Sequence, residues 1–133
     1  MVTLHLLKLL EENGFGIIDI DLFFEKLTLD KKGLYIVSRG GNISRGSRNV
    51  QAFDIYSRGY NDVEGAIKLK EVLDFLQQSY GTVCKLPILS GISETIYNNV
   101  AIEATSSIEN VGLDANNKMN YVITGQITYD IGE

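Results

Sequence analysis

Residues 119–131 alternate apolar and polar side chains almost without a break. Met119, Tyr121, Ile123, Ile127, Tyr129 and Ile131 take odd positions, with Gly125 among them. The even positions are polar except Val122. A repeat of two belongs to a strand with one face in a core and the other turned to water or a partner. Residues 96–106 repeat the pattern, with apolar side chains at most even positions. The two segments predict a pair of long strands in one sheet. Nothing in them resembles reaction machinery. The function classes left are a binding module, an assembly subunit, or an enzyme with an unobvious site, and the first two carry more weight.

Upstream, residues 2–12 predict a helix. Val2, Leu6, Leu9 and Leu10 lie on one side, His5, Lys8 and Glu12 on the other, and Leu4 and Leu7 widen the apolar stripe. Asn13-Gly14 is a sound stop. Residues 17–29 predict a short extended piece followed by a loop or helical turn, with Phe23 and Phe24 as packing residues. Residues 34–39 and 49–56 predict two strands, separated by a polar, glycine-rich loop at 40–48, as in a hairpin with a long tip. The strongest helix is 62–79, with Val63, Ala66, Ile67, Leu69, Val72, Leu73, Leu76 and Tyr80 on a broad apolar face. Asn61 and Glu64 form a capping-box-like start and Gly81 an end. Residues 82–86 predict a short strand, 87–95 a loop, and 109–118 a connection rich in turn formers. The expected architecture is α+β. A mostly antiparallel sheet of two β-hairpins carries helices packed on one face. The 133 residues fit one domain with a real core.

A net charge of −5 does not advertise nucleic-acid binding over the whole surface. The apolar start, interrupted by His5 and Lys8, is too short to span a membrane and lacks the pattern of a secretory leader. A single cysteine, Cys84, excludes an internal disulfide. These features lead us to expect a cytosolic chain, or one assembled in a cytosol.

Catalysis needs mutually oriented groups. His5, the one histidine, falls on the polar side of the first helix and reads as a surface residue. Cys84 sits in an apolar stretch and reads as a buried packing residue. Asp19 and Asp21 share the face of an extended segment, yet two carboxylates make a weak metal site, and a solvated face is the plainer account. Residues 40–46 lack the Gly-Lys-Ser/Thr ending of a phosphate-binding loop. No catalytic, cofactor or metal residues are assigned.

All four arginines, Arg39, Arg45, Arg48 and Arg58, fall in one short stretch. Arginine is favoured over lysine where planar, multiply bonded contacts to carboxylate or phosphate are made. Tyr56 and Tyr60 flank Arg58, and Tyr and Arg are enriched at protein interfaces. The expected interface residues are therefore Arg39, Arg45, Arg48, Arg58 and Tyr56. A solvated basic loop is the alternative, and contact with nucleic acid a lesser one, since no aromatics interleave the tip.

The blocks Tyr97-Asn98-Asn99-Val100-Ala101-Ile102-Glu103, Ile108-Glu109-Asn110-Val111-Gly112-Leu113-Asp114 and Tyr121-Val122-Ile123-Thr124-Gly125-Gln126-Ile127-Thr128-Tyr129 resemble the C-terminal part of small bacteriophage tail proteins. These are the tail terminator, tail completion or head–tail joining ("minor capsid") proteins. Phe53-Asp54-Ile55-Tyr56-Ser57-Arg58-Gly59 followed by an amphipathic helix is similar too, and the likeness spans roughly residues 20–130. Phage-tail-like bacteriocins use related parts. The resemblance implies a small α+β domain that assembles as a homo-oligomeric ring, commonly a hexamer, on the head-proximal end of the tail tube. It implies as partners the tail tube protein, a head completion, connector or sheath protein, and DNA passing through the ring. It implies no cofactor, no membrane and no catalysis, and a place in the virion after assembly in the host bacterial cytoplasm. A non-viral protein-binding adaptor is the runner-up, and a small enzyme comes third.

Overall fold

A computed structural model describes residues 2–25, 32–45, 48–59, 62–78, 85–114 and 117–132, with side chains at 41–45, 48 and 62 left aside. The elements run α1 (Val2–Glu12), β1 (Leu22–Phe24), β2 (Gly33–Arg45), β3 (Arg48–Arg58), α2 (Asp62–Gln78), β4 (Ile96–Ala104), β5 (Glu109–Leu113) and β6 (Met119–Gly132). The chain is an α+β fold, as its pattern of strands and helices predicts. The sheet order is β1-β2-β3-β6-β4, with β5 also paired to β6. Every pairing is antiparallel except β1 with β2.

The period-two pattern places β6 at the centre. Tyr121, Ile123, Ile127 and Tyr129 point into the core, and Val122 is the one large apolar side chain on the opposite face. Inward neighbours follow from register: Ile55 beside Ile123, Phe53 beside Gly125, Ile102 beside Ile127, and Ile36 beside Ile55. Leu6, Leu7 and Leu10 of α1 and Leu69, Val72, Leu73 and Leu76 of α2 join the same core cluster. Both helices therefore pack on one face of the sheet. Gly65 lets α2 approach closely. A Cβ there would meet the Ser57 hydroxyl at 3.2 Å and the Tyr121 ring at 3.3 Å.

Several local expectations are corrected. The glycine-rich stretch at 40–45 is strand, not loop. β2 runs on to Arg45 across an irregularity between Arg39 and Ile43, where Gly40 takes φ +71°. The Gln51 amide donates to the Ala52 carbonyl at 2.9 Å and reaches the Arg39 and Gly40 carbonyls at 3.4 Å, so polar groups freed by the irregularity are served by one buried side chain. The 109–118 connection contains β5, so β4 and β5 lie end to end along one side of β6, and the second hairpin is compound. The 96–106 alternation changes phase at a bulge between Asn98 and Ala101, where Asn99 takes φ +51°. Tyr97 before the bulge and Val100 and Ile102 after it all face inward. On α2, Val63 and Ile67 are exposed, because the buried stripe is narrower than the apolar one. Tyr80, Asn61, Gly81, Cys84, Tyr60 and most of the expected 82–86 strand lie outside the described residues.

The segment after α1 is tied back by Glu11. One carboxylate oxygen accepts from Lys8 Nζ at 2.7 Å and the other from the Ile18 N–H at 2.8 Å. The Lys8 hydrogen bond, followed by the Ile18 bond, holds the Glu11 carboxyl below its ordinary pKa. A carboxyl whose pKa is lower folded than unfolded stabilises the fold above its unfolded pKa, and that stability is lost as pH falls through the folded value. Glu11→Gln is therefore expected to flatten the acid limb of a plot of urea midpoint against pH, and to speed amide exchange at Ile18. An unchanged acid limb would show that the tether carries no weight.

Candidate functional site

Among the described residues, no helix covers the other face of the sheet. Across it, register places Phe23 beside Tyr35, Tyr35 beside Tyr56, and Tyr56 beside Val122. The Tyr35 and Tyr56 rings stack with centroids 4.9 Å apart and planes 10° from parallel. Their neighbours in the next row are Val37 and Asp54, and in the row after that Arg39, Ala52, Gln126 and Glu103. Phe23, Tyr35, Val37 and Tyr56 are half-buried. Burial holds both phenols above their ordinary pKa. The Tyr56 ring adds to the effect at Tyr35, and the Asp54 carboxylate adds to it at Tyr56. Both hydroxyls are therefore neutral near pH 7 and fit to donate and accept hydrogen bonds.

Three of the five expected interface residues, Arg39, Tyr56 and Arg58, share this face. Their situations differ. Arg39 keeps half of its side chain exposed, and its Nε lies 3.0 Å from Asp54 Oδ1, a charge contact rather than an aligned hydrogen bond. Arg58 is buried, with its Nε donating to Asp114 Oδ2 at 2.6 Å. It thus secures the β5–β6 turn within its own chain. Asp114 is a hub there: it accepts from the Lys118 N–H at 3.0 Å and from the Asn120 amide at 3.3 Å. Arg45 and Arg48 are register partners at the end of the β2–β3 hairpin, at the opposite end of these strands from Arg58.

His5 is not a surface residue, contrary to its expected place on α1. It is fully buried. Its Nδ1 lies 2.8 Å from the Pro87 carbonyl and its Nε2 2.9 Å from Ser93 Oγ, and its ring meets Tyr97 edge-on at 4.7 Å. A carbonyl only accepts, so Nδ1 donates to Pro87, and Nε2 shares a hydrogen bond with the Ser93 hydroxyl. The segment 85–95 covers the polar side of α1, and no local pattern in residues 2–12 announces a partner so distant in sequence. Carbonyl, imidazole and hydroxyl in a row have the order of a nucleophile with its base. An acyl-transfer site also needs backbone donors aimed at the developing oxyanion. Here the N–H groups of Ile92 and Ser93 both go to the Leu89 carbonyl, at 3.0 and 2.8 Å. The trio works as a clasp between α1 and the 85–95 segment.

Asp19 and Asp21 sit in the turn before β1, not on a strand face. Asp19 takes φ +72°, and Asp21 Oδ1 accepts from the Ile17 N–H. Among the described residues, no group of three or more His, Cys, Asp or Glu is placed to hold a metal ion. No helix among them is long and apolar enough to cross a membrane. An open cleft of about 430 Å³ lies between that turn and α2, lined by Ile20, Asp21, Lys32, Glu64 and Lys68. Its Lys32–Glu64 pair, 3.7 Å apart, is exposed and brings no convergent chemistry. Comparison of the chain with protein-family models and with curated proteins finds no match in either.

Proposed function

We propose that this chain is a structural subunit of a bacteriophage tail or phage-like tail, capping the head-proximal end of the tail tube as a ring. In that place it ends tube polymerisation and forms the surface on which a head connector, or a sheath component, is seated. The observation that carries the reading is a sheet that, among the described residues, has helices packed on one side only. Its other side bears the Phe23–Tyr35–Tyr56 row, a flat, amphipathic strip of the kind that protein interfaces favour. The resemblance of residues 97–103, 108–114 and 121–129 to tail terminator and tail completion proteins gives the strip its context.

A ring needs one patch to meet a different patch on the next copy. Arg39 and the hairpin end at Arg45 and Arg48 make a basic corner on an acidic chain, which gives the subunit two unlike surfaces. Reactions of covalent chemistry have no role in this reading.

Deletion of the gene from the parent particle, followed by electron microscopy, tests it. Tails of unregulated length, or tails that fail to join heads, are the expected result. Tails of normal length that join heads normally would overturn the reading and leave a non-viral adaptor as the better account of the same face.

A further inference from the structure

Strand β1 is short, and its hold on the sheet ends abruptly. It runs parallel to β2, with Leu22 against Leu34 and Phe24 against Ile36. Leu22 is fully buried, and Phe24 packs against the core from a half-buried position. In a parallel ladder the bonds are evenly spaced. The residue whose N–H goes to the Ile36 carbonyl is therefore due to offer its own carbonyl to the Ser38 N–H. Glu25 makes the first of these bonds, at 2.7 Å. It then takes φ +70°, which turns the backbone aside, and its carboxylate accepts from the Ser38 N–H at 3.2 Å instead. Asp19, on the other flank of β1, takes φ +72°. Left-handed backbone is unfavourable for a residue with a side chain, so β1 is bounded by strain at both ends. Among the described residues, no strand pairs with β2 beyond Ile36 on this side.

We propose that the edge of β2 from Leu34 to Ser38 is a strand-addition site for an extended segment of another protein, and that β1 is the displaceable latch that occupies it. What β1 supplies and what it lacks describe the partner. It has an apolar side chain for the buried place of Leu22 and a second one two residues on, for the place of Phe24. The next inward position lies over Ser38, whose hydroxyl is 2.7 Å from that of Thr3, and a small hydroxyl residue suits it. The partner's backbone runs straight where Glu25 turns aside, and brings a carbonyl to the Ser38 N–H. The irregularity between Arg39 and Ile43 ends the site. A second copy is the poorer occupant. Its β1 carries the same turn at Glu25, so exchange between copies gains no bond, whereas a straight segment gains the one at Ser38. Phe23 leaves the sheet with β1, and the incoming residue takes its place beside Tyr35. The site lies beyond the tail-end role and does not rest on it.

The test uses the full purified chain and a fluorescein-labelled peptide, Ile-Asp-Leu-Phe-Phe-Thr-Ser-Thr, which copies β1 and then runs straight. Its anisotropy should rise to saturation as the chain is added. A peptide with aspartate in place of the leucine should bind at least about tenfold more weakly, because the anchor enters a buried apolar place. Glu25→Ala removes the side-chain bond that holds the latch to Ser38 and should tighten binding about fivefold. Amide hydrogen exchange followed by NMR locates the peptide on the wild-type chain. At saturation the Glu25 amide should exchange faster and the Ser38 amide more slowly. Where Glu25→Ala does not fold, this exchange pattern decides alone. Absence of binding, or binding that leaves the Glu25 and Ser38 amides unchanged, overturns the site. Dimers that form without peptide and dissociate when it is added would assign the edge to a second copy, and would overturn the proposal as well.

Discussion

Gly125→Ala should destabilise the fold by about 2–3 kcal/mol, and Gly125→Val should abolish it. Gly125 lies at the middle of the sheet, paired to Phe53 on β3 and to Ala104 on β4. A Cβ at this position would sit 2.6 Å from Phe53 Cζ and 2.7 Å from the Glu103 carbonyl oxygen. The first obstacle is a side chain and can tilt. The second is backbone, and moving it disturbs the β4–β6 ladder. The loss of glycine's freedom in the unfolded chain returns only about 0.4–1 kcal/mol. Urea denaturation of the single variants and of a Phe53→Leu, Gly125→Ala double variant measures the two obstacles separately. The double variant is expected to recover about 1 kcal/mol relative to the sum of its parts, because the ring is gone while the carbonyl remains. An alanine variant with the wild-type midpoint would mean that the sheet is looser here than its geometry implies.

Asp114→Ala should cost about 3 kcal/mol, and Arg58→Met clearly less. Arg58 is almost wholly buried, with its side chain 7 % exposed, whereas the Asp114 side chain is 29 % exposed. Removing the carboxylate leaves a cation under cover with its nearest counter-charge gone, a change that typically costs about 3–5 kcal/mol. The partial exposure of Asp114 argues for the lower end of that range. Removing the cation instead leaves a carboxylate that water can reach, and methionine refills the space of the arginine stem. The alanine variant also loses the bonds from Lys118 and Asn120 that shape the turn into β6. Hydrogen exchange across β5 should therefore quicken in Asp114→Ala more than in Arg58→Met. Equal losses in the two variants would show that the pair acts through packing rather than charge.

The legible parts of this fold are those in which one physical signal acts alone. β6 has a single period, and the structure keeps it from Ile123 to Tyr129, whereas Ile131 near the strand end is exposed and Asn120 and Val122 near its start are buried. The long apolar stripes of α1 and α2 likewise mark their own helices. Signals failed where two effects compete. In β4 the repeat is sound on either side of Asn98–Ala101, but the bulge shifts its phase, and no composition marks a bulge at Asn99. At 40–45 the glycines and polar residues favour a loop, yet the pairing of Ile43–Arg45 with β3 carries the strand on past the irregularity. Val111 and Leu113 hide in a stretch of turn formers, and only the neighbouring β6 makes them a strand. The site followed the same logic. Arg39 and Tyr56 were visible by residue type. The Asp114 that occupies Arg58, and the Pro87 and Ser93 that bury His5, are distant in sequence and became visible only through the fold.

The arrangement of the central strands has a consequence for how the chain comes into being. β3 is made early and β6 late, yet each is the other's neighbour at the heart of the sheet. Until β6 emerges from the ribosome, one whole edge of β3 stands bare, with Phe53 and Ile55 lacking their partners. Contacts of such long range are slow to form, and chains waiting for them are prone to stick to one another. Yield of soluble material should therefore depend on synthesis rate and on chaperone supply more steeply than the stability of the finished fold alone would suggest.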